Sequence, residues 1–285
     1  MTQPDNVTVG AAVKTVALVS SGRHPVSGRA GRAREDARAV EMGLSLSGGT
    51  LTLLHAGDAD DAALPEYLGM YHGLSAGAGP GRLDLLPMAP DGDALPALAA
   101  RLRQSDARLV LTGQRAECGE GSGMLPYLLA ETLGWSIATG IAAIEQCDGD
   151  HVTVLQALPQ GQRRRLEVAL PCLLAVDGVA PAPRQSAFGP ARRGITDSVA
   201  TAAPAADPGW AAWQWQPARA RPKRLKVVKS TNARDRFKAA AAKSAASGGQ
   251  VLTDLAPDEA ADRLLAYLRS EKVLAPVSDA EGADQ

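Results

Sequence analysis

Uninterrupted apolar runs alternate with amphipathic helical patterns through the first 135 residues, and this alternation restricts the fold more than any other feature. The apolar runs span residues 15–21, 51–58, 83–88 and 107–113. The helical patterns between them span residues 32–46, 63–74 and 95–105. Strands that are apolar at every position are buried on both faces, which is typical of a parallel sheet covered by helices. We therefore predict an α/β fold with three layers around a mainly parallel sheet.

The carboxyl ends of three predicted strands are rich in small and polar residues. These ends are residues 20–22, 55–57 and 112–114, with the sequences SSG, HAG and TGQ. Parallel strands end at one edge of their sheet, and ligands of such sheets bind beyond that edge. We therefore expect a binding site where these three ends meet.

A glycine-rich loop, TGQRAECGEGSGMLP, leads from the last of these strands into another helical pattern. Gly119, Gly121 and Gly123 allow the backbone to approach a phosphate closely. Ser122 is the expected N-cap and Pro126 falls in the first turn, so the free N–H groups of this helix suit an anion. The predicted buried face of the helix consists of Leu125, Leu128, Leu129 and Leu133. The loop matches no Walker pattern, and spacing alone leaves a phosphate site and an ordinary βα turn equally open.

The pattern changes after Trp135, where turn signals at residues 148–150 and 159–161 separate segments of alternating polarity. Alternation predicts an antiparallel ribbon, followed by a final buried strand at residues 173–176. Residues 180–195 contain several prolines, and we predict a loop there.

The composition of the chain predicts four segments. They are a disordered extension at residues 1–14, a binding domain at 15–197, an Ala/Pro/Trp-rich linker at 198–218 and an arm at 219–285. Residues 219–238 hold nine Lys or Arg against one acid, without a recognisable nucleic-acid module. Trp210, Trp213 and Trp215 of the linker are expected to pack on a partner. A last helix is predicted with one apolar face, formed by Ala260, Leu264, Leu265 and Leu268.

No group of residues predicts catalysis or metal binding. Glu117 and Glu120 suit ribose contacts or solvent as well as they suit acid–base chemistry. The cysteines Cys118, Cys147 and Cys172 match neither zinc nor disulfide spacing, which favours a reducing compartment. Lys plus Arg number 30 against 31 Asp plus Glu, so the balance gives no drive toward nucleic acid. Without a membrane-spanning run or a targeting peptide, we expect a cytoplasmic protein that neither inserts into membranes nor binds nucleic acid.

Two other functions remain open at this point. The stretch SSGRHPVSGR resembles the phosphate loop of ATP-pyrophosphatases, although their downstream Asp-Ser pair is missing. That resemblance would make the chain a stand-alone enzyme that hydrolyses ATP or adenylates a substrate. A nucleotide-binding module similar to the stress proteins is the third interpretation.

Three stretches in sequence resemble the β subunit of the electron-transfer flavoproteins. They are LVLTGQRAECGEGSGMLPYLLAETLGW, the ribbon with LEVALPCLLAVDGVAPAPR, and DARAVEMGLSL, and the resemblance covers residues 15–195. It implies an adenine-nucleotide-binding α/β fold, an α subunit partner that carries most of the FAD, and a structural AMP in this chain. Such subunits are electron carriers rather than enzymes, and they pass electrons from dehydrogenases to a membrane quinone reductase.

The resemblance also assigns residues to sites. The AMP contacts fall on Val19, Ala33, Arg34, Glu35, Asp36, Ala56, Thr112, Gly113, Gln114, Arg115, Ala116, Glu117, Gly121, Ser122, Gly123 and Met124. The flavin-proximal residues are Arg23, His24 and Val26. The loop that docks dehydrogenases falls on residues 185–190, with Phe188 as its apolar anchor beside Gly189 and Pro190. The arm with its helix is expected to wrap on the α subunit.

This chain departs from the family at the nucleotide loops. The usual Asn-Pro-aromatic-acidic start of the second helix is replaced by ARED at residues 33–36, which keeps only the acid. The usual run of aspartates is replaced by ECGEG at residues 117–121. Some branches of the family hold a second FAD in place of AMP and bifurcate electrons, and the sequence leaves that alternative open.

Overall fold

The computed structural model describes most of the chain up to residue 200 and parts of the remainder. The described residues are 8–9, 13–24, 26–47, 50–74, 79–90, 92–119, 121–200, 209, 212–214, 216, 232–234, 253 and 255–270. They divide into two units between Trp215 and Gln216. Of the predicted linker tryptophans only Trp213 is described, and it is more than half exposed. Most of the basic segment 219–238 lies outside the described residues.

One sheet organises the larger unit. The strands in chain order are β1 (Thr8–Val9), β2 (Thr15–Leu18), β3 (Ser21–Arg23), β4 (Ala30–Arg32), β5 (Thr52–Gly57), β6 (Arg82–Pro87), β7 (Leu109–Gly113), β8 (Ser136–Cys147), β9 (His151–Ala157), β10 (Arg163–Ala169), β11 (Cys172–Val176) and β12 (Ile195–Ser198). The order across the sheet is β10-β9-β8-β11-β7-β2-β5-β6-β12, with β1 also paired to β8. In this spatial order, every neighbouring pair in the stretch β8-β11-β7-β2-β5-β6-β12 is parallel. The strands β8, β9 and β10 form the antiparallel ribbon. The predicted mainly parallel α/β fold is confirmed.

Helices cover both faces of this sheet. They are α1 (Arg34–Ser47), α2 (Leu64–Leu68), α3 (Ala94–Gln104), α4 (Leu125–Leu133) and α5 (Phe188–Arg193). The central strand β7 shows why both faces must be covered, since Leu109 and Leu111 join the core under α1 while Val110 joins the core under α3 and α4. Each fully buried aliphatic side chain of this kind contributes about 1.5–3 kcal/mol to folding. We call the edge where β2, β5, β6, β7 and β11 end the carboxyl edge, and the opposite edge the amino edge.

The start of α4 differs from the sequence prediction. Met124, and not Ser122, is the N-cap, and the Ser122 hydroxyl accepts a hydrogen bond from the Met124 N–H at 3.0 Å. Gly123 adopts a φ of +79°, which turns the chain, so the helix begins only after it. Leu128 is 45% exposed and lies outside the buried face, whereas Leu129 is buried as predicted, together with Pro126 and Ala130.

The segment 180–195 is not the loop that its prolines indicate. It contains the helix α5, and β12 then pairs with β6 in parallel register. β12 is the last strand of the sheet, and its side chains are mainly exposed. Its sequence ITDS can therefore be polar. Tertiary pairing therefore produces a strand that periodicity alone does not reveal.

Three further boundaries also differ from the predictions. The first apolar run ends as a strand at Leu18, and residues 21–23 pair with 30–32 in the separate hairpin β3–β4. α2 ends at Leu68 instead of continuing toward residue 74, and Gly69 is its C-cap. The predicted disorder over residues 1–14 does not hold at Thr8 and Val9, which pair with Gln146 and Cys147 of β8.

The smaller unit contains the predicted last helix, α6 (Pro257–Ser270). Its apolar face is uncovered within the part of the chain that the structure describes, with Leu264 58% and Leu265 37% exposed. Among the described residues, no helix combines the length and the apolar character needed to cross a bilayer.

Candidate functional site

Asp36 of α1 ties together two strand ends at the carboxyl edge. One carboxylate oxygen accepts hydrogen bonds from the Ser20 N–H at 2.8 Å and the Ser20 hydroxyl at 2.5 Å, and the other accepts from the Gly113 N–H at 2.9 Å. Burial raises the pKa of Asp36 from 3.8 to about 6, although these three donors oppose the rise. The predicted convergence of the ends of β2 and β7 is therefore observed, and Asp36 holds it in place.

Gly113 is required because the first turn of α1 lies very close to the end of β7. A Cβ at this position would lie 2.5 Å from an Asp36 carboxylate oxygen and 2.9 Å from the Glu35 Cβ. The neighbouring Gln114 N–H donates to the Glu35 carboxylate at 3.0 Å, and the Gln114 amide donates to Asp177 at 2.8 Å. The first turn of α1 thus positions the backbone that leaves β7, and Asp177 adds the end of β11 to the same network.

Glu117 caps the N-terminus of α1, beside Glu35 and Asp36. Its carboxylate accepts from the Arg34 N–H at 2.8 Å, where the N-terminal end of the helix dipole favours a negative charge. A Cβ on Gly22 would lie 2.8 Å from a Glu117 carboxylate oxygen and from Ala33 backbone atoms, so the hairpin, α1 and the loop meet in close contact. The buried Tyr67 hydroxyl completes the junction, since it accepts from the Ala33 N–H and donates to the Ser20 carbonyl, both at 2.8 Å.

A cavity of about 410 Å³ opens beside this network, between the loop after β7, the end of β11 and the part of β8 that pairs with it. Its lining residues are Glu35, Gln114, Arg115, Ser122, Gly123, Tyr127, Thr139 and Ala175. Gly123 contributes to its wall with a positive φ, and a Cβ there would lie 3.0 Å from the Gln114 carbonyl oxygen. Arg115 supplies a positive charge, and the cavity adjoins the N-terminus of α4. This combination of a glycine backbone, an arginine and a helix N-terminus suits a phosphate.

Five of the predicted AMP contacts line this cavity, and three lining residues were missed. Tyr127, Thr139 and Ala175 come from α4, β8 and β11, and their convergence depends on the strand order. The signal for Ala175 was available, because residues 173–176 were predicted as a buried parallel strand whose carboxyl end belongs at this edge. Thr139 lies in a strand that sequence alternation did not place next to β11.

The other end of the carboxyl edge has a buried polar atom without a partner. His55 at the end of β5 is 6% exposed, and its Nδ1 lies 2.8 Å from the Val19 carbonyl oxygen, so Nδ1 carries the proton. Its Nε2 is buried and has no hydrogen-bond partner among the described residues. Burial lowers the pKa of His55 below its usual value, which keeps the ring neutral. The neutral Nε2 is therefore an acceptor suited to an N–H or O–H donor.

The remaining predicted AMP residues lie around the same edge. Val19, Ala33 and Thr112 are buried in the strand ends and at the start of α1, while Ala56 is partly exposed beside His55. Ala116 and Gly121 lie in the loop near one another, since a Cβ on Gly121 would lie 3.3 Å from the Ala116 carbonyl oxygen. The N-cap Met124 is half exposed.

The predicted flavin-proximal residues lie on the β3–β4 hairpin. The His24 ring Nδ1 accepts from the N–H groups of Val26 and Ser27 at 3.3 and 3.1 Å, which fixes the turn. Val26 itself is 89% exposed, and Arg23 is exposed and donates to the Gly28 carbonyl. The three residues form one solvent-facing surface next to the carboxyl edge.

Phe188 protrudes from a helix that is held firmly in place. Its side chain is 80% exposed at the first position of α5. The Ala187 N–H donates to the Gly69 carbonyl at 2.9 Å, and a Cβ on Gly194 would lie 2.7 Å from a Leu68 side-chain carbon. Both ends of α5 therefore contact α2 and the turn after it, and the apolar side chain is directed away from the core.

Comparison with known proteins agrees with this architecture. The sequence model of the Electron transfer flavoprotein domain matches residues 84–206. The electron transfer flavoprotein subunit beta of Chromohalobacter salexigens is 53% identical over 275 residues, which is 95% of this chain and 99% of that protein. The chain belongs to the electron transfer flavoprotein β subunit family. Members of this family are electron carriers, so the chain is a subunit of an electron-transfer protein and not an enzyme that converts its own substrate.

Membership of the family agrees with the chemistry of the carboxyl edge. A β subunit implies an α subunit partner and the involvement of flavin. Within the described residues, no group of three or more His, Cys, Asp or Glu could hold a metal ion. The acidic groups at this edge, Asp36, Glu35 and Glu117, accept hydrogen bonds from backbone N–H groups of this chain, so they serve the fold.

Proposed function

We propose that this chain is the β subunit of a heterodimeric electron-transfer flavoprotein that carries electrons from dehydrogenases to a membrane quinone reductase. The α subunit holds most of the redox-active FAD, and this chain holds an AMP with a structural role. The protein works in the cytoplasm, and the arm with α6 packs on the α subunit. The observation that carries the nucleotide proposal is the cavity at the carboxyl edge, because residues of the loop that the family resemblance implies for AMP line it.

The residues around the start of α4 fit the phosphate of a nucleotide. Arg115, Ser122 and Gly123 offer a positive charge, a hydroxyl and close backbone approach there. His55 lies outside the lining of this cavity, so its unpartnered Nε2 is not a contact proposed for AMP. AMP would supply no reaction there, and its binding energy would stabilise the folded state.

The cavity has the volume of an ordinary ligand pocket. Its size of about 410 Å³ lies within the range of roughly 300–1,000 Å³ that is usual for such pockets, and it suits a nucleotide such as AMP. The first experiment separates AMP from the second FAD of the bifurcating alternative.

That experiment is the analysis of released nucleotides. The chain is purified with its α subunit, the complex is denatured with acid, and the nucleotides are separated by chromatography. We expect one FAD and one AMP per heterodimer. Two FAD would replace the plain carrier with a bifurcating one, and ATP or no nucleotide besides FAD would overturn the AMP proposal.

A variant tests whether the loop holds the nucleotide. Gly123→Ala introduces a Cβ at positive φ within 3.0 Å of a backbone oxygen, whereas Gly119→Ala introduces one at a similar φ of +76° in open space. We expect Gly123→Ala to lower the AMP content while Gly119→Ala retains it. Equal AMP content in the two variants would show that the nucleotide lies elsewhere.

Phe188 is proposed as the anchor for dehydrogenases, together with Gly189 and Pro190. Exposed aromatic side chains dominate small interfaces, and this one is presented on a fixed helix. We expect Phe188→Ala to slow reduction of the flavin by the dehydrogenase at least tenfold, with unchanged FAD and AMP content. Val179→Ala removes another exposed apolar side chain, outside α5 and outside the predicted sites, and serves as the control. Unchanged reduction kinetics in the Phe188 variant would exclude this role.

A further inference from the structure

A second cavity lies at the amino edge, away from the proposed nucleotide site. Its volume is about 330 Å³, and its lining residues are Lys14, Val16, Thr52, Leu54, Arg82, Asp84, Arg101, Leu102, Gln104 and Ser105. Lys14 immediately precedes β2, while Thr52 and Arg82 are the first residues of β5 and β6. The end of α3 closes the opposite wall. The strand starts and the helix end therefore enclose a space that is separate from the proposed nucleotide site.

A buried carboxylate lies in the wall of this cavity. Asp84 is 4% exposed, and its Oδ2 accepts a hydrogen bond from the Arg101 Nε at 3.0 Å and another from the Arg101 Nη2. Its Oδ1 is buried without a hydrogen-bond partner among the described residues. The Arg82 Nε is 3.5 Å from this oxygen but forms no hydrogen bond with it, and the Arg82 Nη2 is bound to Asp197 at 2.7 Å. Asp84 Oδ1 is therefore in an ion pair with Arg82 but lacks a hydrogen-bond donor among the described residues.

The charges around the cavity do not cancel. Lys14, Arg82 and Arg101 carry three positive charges, and the carboxylates in contact with them are Asp84 and Asp197. The two arginines are paired with these carboxylates. Lys14 forms no ion pair within the described part of the chain, so one positive charge remains at the rim. This charge favours a ligand with one negative charge.

The rest of the lining indicates the size and the skeleton of the ligand. Val16, Leu54 and Leu102 are buried apolar side chains and provide an apolar floor. The volume of about 330 Å³ leaves room for a small organic acid together with bound water.

We propose that this cavity binds a small hydroxycarboxylate. The carboxylate of the ligand pairs with the Lys14 ammonium, and its hydroxyl donates a hydrogen bond to Asp84 Oδ1. The carbon skeleton lies over the apolar floor. The site is independent of the nucleotide loop, because it lies at the opposite edge of the sheet and shares no lining residue with the first cavity.

The test is calorimetric titration of the complex with its α subunit, with D-glycerate as the probe and propionate as the analogue without hydroxyls. We expect D-glycerate to bind with a Kd at or below about 1 mM and one site per chain. Propionate should bind at least about tenfold more weakly, because it cannot donate to Asp84. Absence of measurable glycerate binding would overturn the proposal, and so would equal affinity for propionate or tighter binding of inorganic phosphate.

Two variants locate the binding. Lys14→Met should weaken glycerate binding at least about tenfold, and Lys14→Arg should retain it. Arg163→Met removes an exposed cation on β10, outside the cavity, and should leave binding unchanged. The AMP and FAD content of every variant is measured as the check on folding. Glycerate binding that is unaffected by Lys14→Met, or reduced as much by Arg163→Met, would show that this cavity is not the site.

Discussion

The carboxyl edge and the amino edge of the sheet are both polar, but they are constructed differently. At the carboxyl edge, acidic side chains accept hydrogen bonds from backbone N–H groups, and glycines permit the close approach. At the amino edge, charged side chains pair with one another around a cavity, and the buried carboxylate there depends on arginines. The first arrangement fixes the course of the backbone, whereas the second depends on pairing between charged side chains. Substitutions at the carboxyl edge should therefore disturb the backbone, and substitutions at the amino edge should disturb the pairing of charged side chains.

The largest expected effect is at the amino edge. Asp84→Ala leaves the partly buried Arg101 without its partner, and we expect a loss of about 3–5 kcal/mol in the free energy of unfolding. The folded fraction should keep its AMP, because the carboxyl edge is untouched. Urea unfolding and nucleotide analysis of the complex measure both quantities. Asp197→Ala, in a pair that is roughly half exposed, should cost at most about 1 kcal/mol, and equal losses in the two variants would contradict the comparison.

The next effect is at the carboxyl edge. Gly113→Ala places a Cβ within 2.5 Å of the Asp36 carboxylate, and the strain should cost about 2–3 kcal/mol. Because the same backbone borders the first cavity, we expect AMP content to fall as well. The control is Gly149→Ala, where a Cβ meets open space. An unfolding curve like that of the control would refute the close packing of α1 against β7.

A pH titration sharpens the role of Asp36. Its pKa of about 6 in the folded protein is above the ordinary 3.8, so between these values the folded state binds the proton more tightly than the unfolded state. The stability that protonated Asp36 gives the folded state is therefore fully present below about pH 4. It is lost as the pH rises through about 6, a change of up to about 3 kcal/mol in the free energy of unfolding. Asp36→Asn should lack this dependence, because its amide does not ionise in this range. Urea unfolding of both proteins from pH 4 to 8 measures it, and parallel pH profiles would contradict the assignment.

The smallest effect is expected at Glu117. Glu117→Ala removes the acceptor for the Arg34 N–H at the start of α1, which should cost about 0.5–1 kcal/mol. Glu131→Ala on the exposed face of α4 is the matched control, and we expect almost no change there. Thermal unfolding of both variants provides the measurement. If Glu117→Ala lost as much stability as Gly113→Ala, the Glu117 carboxylate would have to stabilise more than the N-terminus of α1.

Sequence patterns predicted the elements in which burial follows a regular pattern along the chain. The apolar runs that became β5, β6, β7 and β11 are buried at successive positions, so local composition identifies them. The carboxyl edge was also predictable, because glycine in TGQRAECGEGSG marks a backbone that must approach something closely. The family resemblance added the identity of the proposed ligand, which glycine spacing alone left open.

The features that were missed depend on contacts between distant segments. β12 becomes a strand because β6 pairs with it, and its sequence ITDS shows no apolar run. The same holds for Asp84, which reads as a polar interruption in an apolar strand until Arg101 of α3 is placed next to it. Tyr127 and Thr139 join one cavity only through the strand order. Periodicity describes one element at a time, so it cannot report which elements become neighbours.

The anchoring of α5 has a kinetic consequence. The helix is fixed to α2 at its start, and at its end the chain continues directly into β12, so the backbone that carries Phe188 is held by contacts within this chain. In the proposed docking, a dehydrogenase would have little loop ordering to complete, and the entropic cost of the encounter would stay small. A contact made through one prominent side chain would also cover little area, so the proposed complex should dissociate quickly. Fast arrival combined with fast departure suits a carrier that must visit one protein after another.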